Sequence, residues 1–266
     1  MTIRRAYADL PHGQVHYAEC GAADAPPVLL LHQTPRSWAE YRDVLPLLGA
    51  HHRAIAMDTA GFGESDALPG APSIEAWAQV AVQLLDALAI ASAHVVGHHT
   101  GGVIAADLAA RHGARVRSLV LSSTPFTDVA FRQARAQRPA IDAVELQPDG
   151  AHLAALWRQR QAFYPAHRPE LLHAFVLDAL KVRGDLESGH RAVGAYRIEE
   201  CIASIGQPTL LIRAPDDPFA APHADQWLAH LPQASVVEIA HGMVPLPDQL
   251  PQAFADALLR FLAAQR

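Results

Sequence analysis

His99 is the residue whose type and setting most clearly suggest chemistry, at the centre of the run 97–102 (GHHTGG). This run follows an apolar stretch and precedes a helical pattern, which predicts a sharp turn from a strand into a helix. The tip of such a turn is strained, and only small residues fit two positions before and two positions after it. Gly97 and Gly101 meet that need. An imidazole held there can act as a general base or attack an activated acyl carbon.

The elements around this turn indicate an α/β fold. Short β-type runs alternate with longer helical patterns, which favours a mostly parallel sheet covered by helices on both faces. Strands are predicted near residues 14–20, 27–31, 52–57, 93–97, 116–122, 208–213 and 234–239. Helices are predicted over 73–88, 101–112 and 251–264. From about residue 125 to residue 206 the patterns are helical, without a clear strand.

Five motifs in chain order resemble those of the α/β-hydrolase superfamily, and the resemblance covers nearly the whole chain. They are VLLLHQTP at 28–35, DTAGFGESD at 58–66, GHHTGG at 97–102, the strand-to-acid run 209–219, and the strand-to-histidine run 236–242. We call the strand-to-helix turn that carries the reactive residue the elbow. In this fold the elbow comes first along the chain, followed by the acid and then by the histidine. The resemblance implies an α/β-hydrolase fold with its core in residues 1–124 and 207–266 and a helical cap inserted at 125–206.

The resemblance also implies a catalytic site. His241 matches the family's catalytic histidine, which needs a carboxylate partner to fix its tautomer and stabilise the imidazolium. Asp216 and Asp217 both qualify, and Asp217 fits the family's D-x-F spacing better. We therefore expect His99, His241 and Asp217 to form the site, with His241 within hydrogen-bond reach of one of the two aspartates.

The same resemblance places the oxyanion donors and the pocket. The donors would be the backbone N–H groups of Gln33 and Thr100. The pocket would suit a small, partly apolar substrate. Its candidate walls are Trp38, Phe126, Trp157, Phe163, Tyr164, His190, Tyr196, Phe219 and Met243.

The sequence of the elbow most resembles the G-H-D-x-G-G motif of epoxide hydrolases and haloalkane dehalogenases, with His99 in place of the aspartate. Imidazole cannot simply replace an aspartate that forms an alkyl-ester intermediate, which argues against both of those activities. The first interpretation is a cofactor-free hydrolase of a small ester, lactone or similar carbonyl compound. The alternatives are a lyase or other proton-transfer enzyme on the same fold, and a non-catalytic receptor for a small molecule. His99, His241 and Asp217 are also a metal-ligand set, but a hydrogen-bonded relay would not converge on one point, so no metal site is expected.

Composition excludes other classes of protein. The chain has 266 residues, of which half are hydrophobic, so one domain with an inserted subdomain can bury a full core. The net charge of −6 and the scattered basic residues argue against nucleic acid and an anionic membrane as partners. No apolar leader or membrane span is evident, which predicts a cytoplasmic location. Cys20 and Cys201 are predicted to be reduced thiols, and a homodimer is left open.

Overall fold

A computed structural model describes residues 1–265 and shows a single eight-stranded sheet in the order β1-β2-β4-β3-β5-β6-β7-β8. Strands β3 to β8 are parallel, and the β1–β2 hairpin continues the sheet in the antiparallel direction beside β4. The strands are β1 (Arg4–Leu10), β2 (Gly13–Cys20), β3 (Pro27–Leu31), β4 (Arg53–Met57), β5 (Ala93–His98), β6 (Val116–Ser122), β7 (Thr209–Arg213) and β8 (Ser235–Glu238).

Helices cover both faces of this sheet. They are α1 (Leu45–Gly49), α2 (Ile74–Ala87), α3 (Thr100–Arg111), α4 (Val129–Ala136), α5 (Ala151–Gln161), α6 (Pro169–Ala179), α7 (Ser188–Ala195), α8 (Ala224–His230), α9 (Leu246–Gln249) and α10 (Pro251–Ala263). Ser73 caps α2 by accepting a hydrogen bond from the amide of Ala76. The three predicted helices correspond to α2, α3 and α10.

Strand β3 shows why the central strands read as continuous apolar runs. Its side chains alternate between two faces that are both covered, so no position is left for a polar residue. Leu29 and Leu31 pack into one apolar cluster with α2 and α3. Val28 and Leu30 pack into a second cluster with α1 and α10. The predicted α/β-hydrolase architecture is confirmed, together with all seven predicted strands; strand β1 was not predicted.

Between β6 and β7 the chain forms helices α4 to α7, within the segment 125–206 that we call the cap segment. A fully buried guanidinium, that of Arg36, links this segment to the core. Its Nε donates to Asp178 of α6 at 2.8 Å, and its Nη1 donates to Asp248 of α9 at 2.6 Å. Within residues 1–265, no helix is long and apolar enough to cross a membrane.

Candidate active site

The turn after β5 holds His99 in a strained backbone conformation. Strand β5 ends at His98 and α3 begins at Thr100, and His99 between them has φ 48° and ψ −114°. A Cβ on Gly97 would lie 2.1 Å from the carbonyl oxygen of Gly101, and a Cβ on Gly101 would lie 2.0 Å from that of Leu31. Both glycines are therefore required by close backbone contacts, and the turn presents His99 at its tip.

His99 pairs directly with Asp217. Its Nε2 lies 2.7 Å from Asp217 Oδ2, while Asp217 Oδ1 accepts from the amide of Phe219 at 3.0 Å. Burial alone would raise the pKa of Asp217, but the adjacent His99 imidazole holds this pKa below its ordinary value. The carboxylate is therefore charged at neutral pH and accepts the Nε2 proton. Within residues 1–265, no protein group forms a hydrogen bond with His99 Nδ1, which leaves that nitrogen with a lone pair.

His98 is a structural neighbour of this pair. Burial and the nearby His99 lower the pKa of His98 to about 3, so its ring is neutral. Its Nε2 lies 2.8 Å from the carbonyl oxygen of Val244, which can only accept, so the proton is on Nε2. Nδ1 then accepts from the hydroxyl of Ser122 at 3.0 Å. The ring thus fixes the loop after β8, whose Val244 lines the pocket.

His241 does not join the site, contrary to the sequence-based expectation. Its side chain is 92% exposed, and its Nδ1 lies 4.0 Å from Asp216 Oδ2, beyond hydrogen-bond reach. The physical reason is the size of the elbow side chain. A serine would need an intervening imidazole to reach the acid, whereas the ring of His99 spans the gap to Asp217 itself.

The amide of Gln33 is not free to act as an oxyanion donor, which corrects a second expectation. It donates to Glu40 Oε2 at 2.9 Å, and the Gln33 side-chain amide donates to the other oxygen of this carboxyl. Glu40 is buried, and burial raises its pKa. Sequence reasoning missed Glu40 because nothing in its spacing marks it. Thr100, the other expected donor, lines the pocket as the first residue of α3.

A cavity of about 740 Å³ lies between the core and the cap segment, with His99 in its wall. Of the candidate walls, His190, Phe219 and Phe163 line it. Phe126 and Tyr196 pack instead into the main apolar core. Tyr164 and Trp157 pack into an apolar cluster within the cap segment. The two remaining candidates, Trp38 and Met243, do not line the cavity either. Trp38 lines a separate groove, and Val244 occupies the cavity wall where Met243 was expected.

The cap segment carries a second histidine–carboxylate pair, whose histidine lines the same cavity. His190 Nε2 lies 2.8 Å from Asp142 Oδ2, and Arg160 binds both oxygens of this carboxylate. Burial alone would raise the pKa of Asp142, but Arg160 and His190 hold that pKa well below its usual range. Sequence reasoning missed Asp142 and Arg160 because their partners lie 18 to 48 residues away.

Three groups of this cluster have the chemistry of metal ligands. Asp142, Glu187 and His190 offer ligand atoms within 4.8 Å of one another. However, Arg160 pairs with Asp142, and Arg135 pairs with Glu187 at 3.2 Å. The guanidinium groups already balance both carboxylates, so we interpret the cluster as an ion-pair network.

Comparison with known proteins supports the fold described above. Residues 26–243 match the family model described as alpha/beta hydrolase fold. A protein of Variovorax paradoxus named "Putative carbamate hydrolase RutD" is 34% identical over 94% of this chain and 96% of its own length. The bifunctional epoxide hydrolase 2 of Sus scrofa is 28% identical over 87% of this chain and 50% of its own length.

A solved structure shares the architecture at lower identity. The enol-lactonase of Burkholderia xenovorans LB400 superimposes with a TM-score of 0.78, at 23% identity, over 97% of this chain and 100% of that one. Three observations indicate the same family. They are the match of the family model over most of the sequence, the relative that is 34% identical along nearly its full length, and the eight-stranded sheet with its elbow. The chain is therefore a member of the α/β-hydrolase family.

Proposed function

We propose that this protein hydrolyses a small ester, lactone or similar carbonyl compound, with His99 as general base. One observation carries the proposal: His99 Nε2 lies 2.7 Å from the buried carboxylate of Asp217, and His99 lines the cavity between the core and the cap segment. The names of its relatives, a carbamate hydrolase and an epoxide hydrolase, support hydrolysis as the reaction class.

The chemistry follows from the tautomer. Since Nε2–H donates to Asp217, the lone pair of Nδ1 is available to take a proton from water as that water attacks the substrate carbonyl. Asp217 then stabilises the imidazolium, as the acid of a triad does. The amide of Thr100, at the first position of α3, supports the developing oxyanion because the N–H groups of a first helical turn have no intrahelical partner.

Water activation is favoured over direct attack by His99. An acyl-imidazole is chemically feasible, but the ring already spans the distance to Asp217 and is bulkier than a serine hydroxyl. The two routes leave different traces with an activated ester. A nucleophile gives a burst and a transient mass increase on the peptide that contains His99, whereas a base gives neither while turnover continues.

The cavity limits the substrate to a small molecule. Its volume of about 740 Å³ lies within the range of small-molecule sites. A cytoplasmic location and a homodimer stay predictions.

A lyase or other proton-transfer reaction is the second candidate. The observation in its favour is that the elbow residue carries no hydroxyl or thiol, because proton abstraction beside a carbonyl needs only the base that the His99–Asp217 pair supplies. Product analysis separates the two candidates, since hydrolysis incorporates oxygen from labelled water and proton abstraction does not.

The proposal is tested by screening short-chain esters and lactones with the native protein, His99→Ala and His99→Ser. We expect His99→Ala to lose essentially all turnover while its circular dichroism spectrum stays native, because either route needs the ring. Full activity of His99→Ala would refute the proposal. Activity of His99→Ser above that of the native chain would instead show that the histidine disables an ordinary site.

A further inference from the structure

Hydrolysis at this site requires both a base for the attacking water and a proton donor for the leaving oxygen. The general base removes a proton from water, but the leaving oxygen must gain one unless it is a stable anion. The amide of Gln33, which would have helped to carry the negative charge, donates to Glu40. Protonated His99 can return its proton as a triad histidine does, but an acid in another wall of the cavity would protonate the leaving oxygen without requiring His99 to reach both the water and the leaving group.

The cap segment presents an imidazole to that cavity. His190, on α7, lines the same cavity as His99, and its side chain is 14% exposed. It repeats the arrangement of the elbow, since its Nε2 is bonded to a buried carboxylate, that of Asp142. Within residues 1–265, no protein group forms a hydrogen bond with its Nδ1. His190 Nδ1, like His99 Nδ1, is therefore available to a substrate.

The surroundings of His190 hold it in one tautomer. Asp142 is fully buried and kept charged by Arg160, so it accepts the Nε2 proton. Arg160 Nη2 lies 3.2 Å from the same nitrogen and can only donate, so it favours a lone pair there, but the shorter contact of 2.8 Å to the charged carboxylate outweighs it. The charged groups packed around the ring are Asp142 and Arg160 in direct contact, and Glu187 with Arg135 behind them.

We propose that His190 is the general acid of the reaction, an inference that rests on the proposed function. His99 Nδ1 takes a proton from water, and the water oxygen forms the new bond to the carbonyl carbon. As the bond to the leaving oxygen breaks, its electron pair stays on that oxygen, which receives the Nδ1 proton of the His190 imidazolium. The products are an acid and an alcohol. Exchange with solvent then returns a proton from His99 to His190.

The test compares two esters of one acid that differ in their need for a proton. Ethyl butyrate releases a strongly basic alkoxide, and p-nitrophenyl butyrate releases a stable phenolate. We expect His190→Gln to lower kcat/KM on the order of 10²- to 10³-fold for the ethyl ester, and less than about fivefold for the nitrophenyl ester. The alkaline limb of the pH–rate profile for the ethyl ester should also disappear. His173→Gln, an exposed cap-segment histidine outside the cavity, is the matched control and should change neither ester.

Equal losses on both esters would overturn the acid role and indicate a structural one. If His99→Ala retains turnover, the proposed function fails instead, so the two failures are distinguishable. Ring-nitrogen NMR tests His190 without any turnover, with its signals assigned by their absence from His190→Gln. The neutral ring should carry its proton on Nε2. A neutral ring protonated on Nδ1 would refute the proposal.

Discussion

Replacing Asp217 by asparagine should abolish the general-base function of His99, because it should move the ring proton from Nε2 to Nδ1. In the native site Asp217 Oδ1 accepts from the amide of Phe219, so an asparagine keeps its oxygen there and places its NH2 group at the Oδ2 position. That NH2 group, about 2.7 Å from His99 Nε2, can only donate. Nε2 must then become the acceptor, and the ring proton moves to Nδ1, where the lone pair is needed.

The expected loss in kcat/KM is on the order of 10⁴-fold, which is the loss found when a catalytic triad holds its histidine in the wrong tautomer. It corresponds to about 5 kcal/mol of transition-state stabilisation. Hydrolysis of p-nitrophenyl butyrate measures the loss, and denaturant unfolding checks that the fold is retained. Asp216→Asn is the matched control, since its side chain is 56% exposed, and it should stay within about twofold of native. More than a tenth of native activity in Asp217→Asn would refute the tautomer argument.

Three further outcomes are expected. His241→Gln should keep native kcat/KM within about twofold because its side chain is exposed, and a loss of 100-fold would restore the sequence-based triad. Gly101→Ala should lower the free energy of unfolding by at least about 3 kcal/mol, since the new Cβ would meet a backbone oxygen, whereas Gly206→Ala, with open space, should be near neutral in denaturant titrations. His98, whose pKa is lowered to about 3, is neutral in the folded protein but protonates below about 6.5 once unfolded. Its contribution is therefore present above pH 6.5 and lost as pH falls towards 3, by about 1.4 kcal/mol per pH unit. His98→Gln should flatten the pH dependence of unfolding by that slope, and an unchanged slope would contradict the burial argument.

The central parallel strands could be predicted from sequence because burial on two faces demands continuous apolar runs. Strand β3 is such a run, with four of its five residues buried. Strand β1 escaped prediction because it lies at the sheet edge, where Arg4 and Arg5 face solvent and no apolar alternation is needed.

For the candidate site, the sequence indicated His99 and Asp217 but not the direct contact between their side chains. Glycine spacing identified His99, and chain order identified Asp217, because both signals are local. That the two meet directly depends on how far an imidazole reaches across the turn, which spacing does not encode. Glu40 and Asp142 depend on contacts between distant segments, so no local pattern marks them.

The buried guanidinium of Arg36 has a consequence for the modularity of the chain. Its two closest partners, Asp178 and Asp248, come from the cap segment and from the helix after the last strand. A buried charge that loses one partner is destabilised by about 3–5 kcal/mol. Excising the cap segment, or exchanging it for that of a relative, would therefore leave Arg36 short of a carboxylate inside the core. The cap segment is therefore not an independent unit, and recombination between family members must carry residues 36 and 178 together.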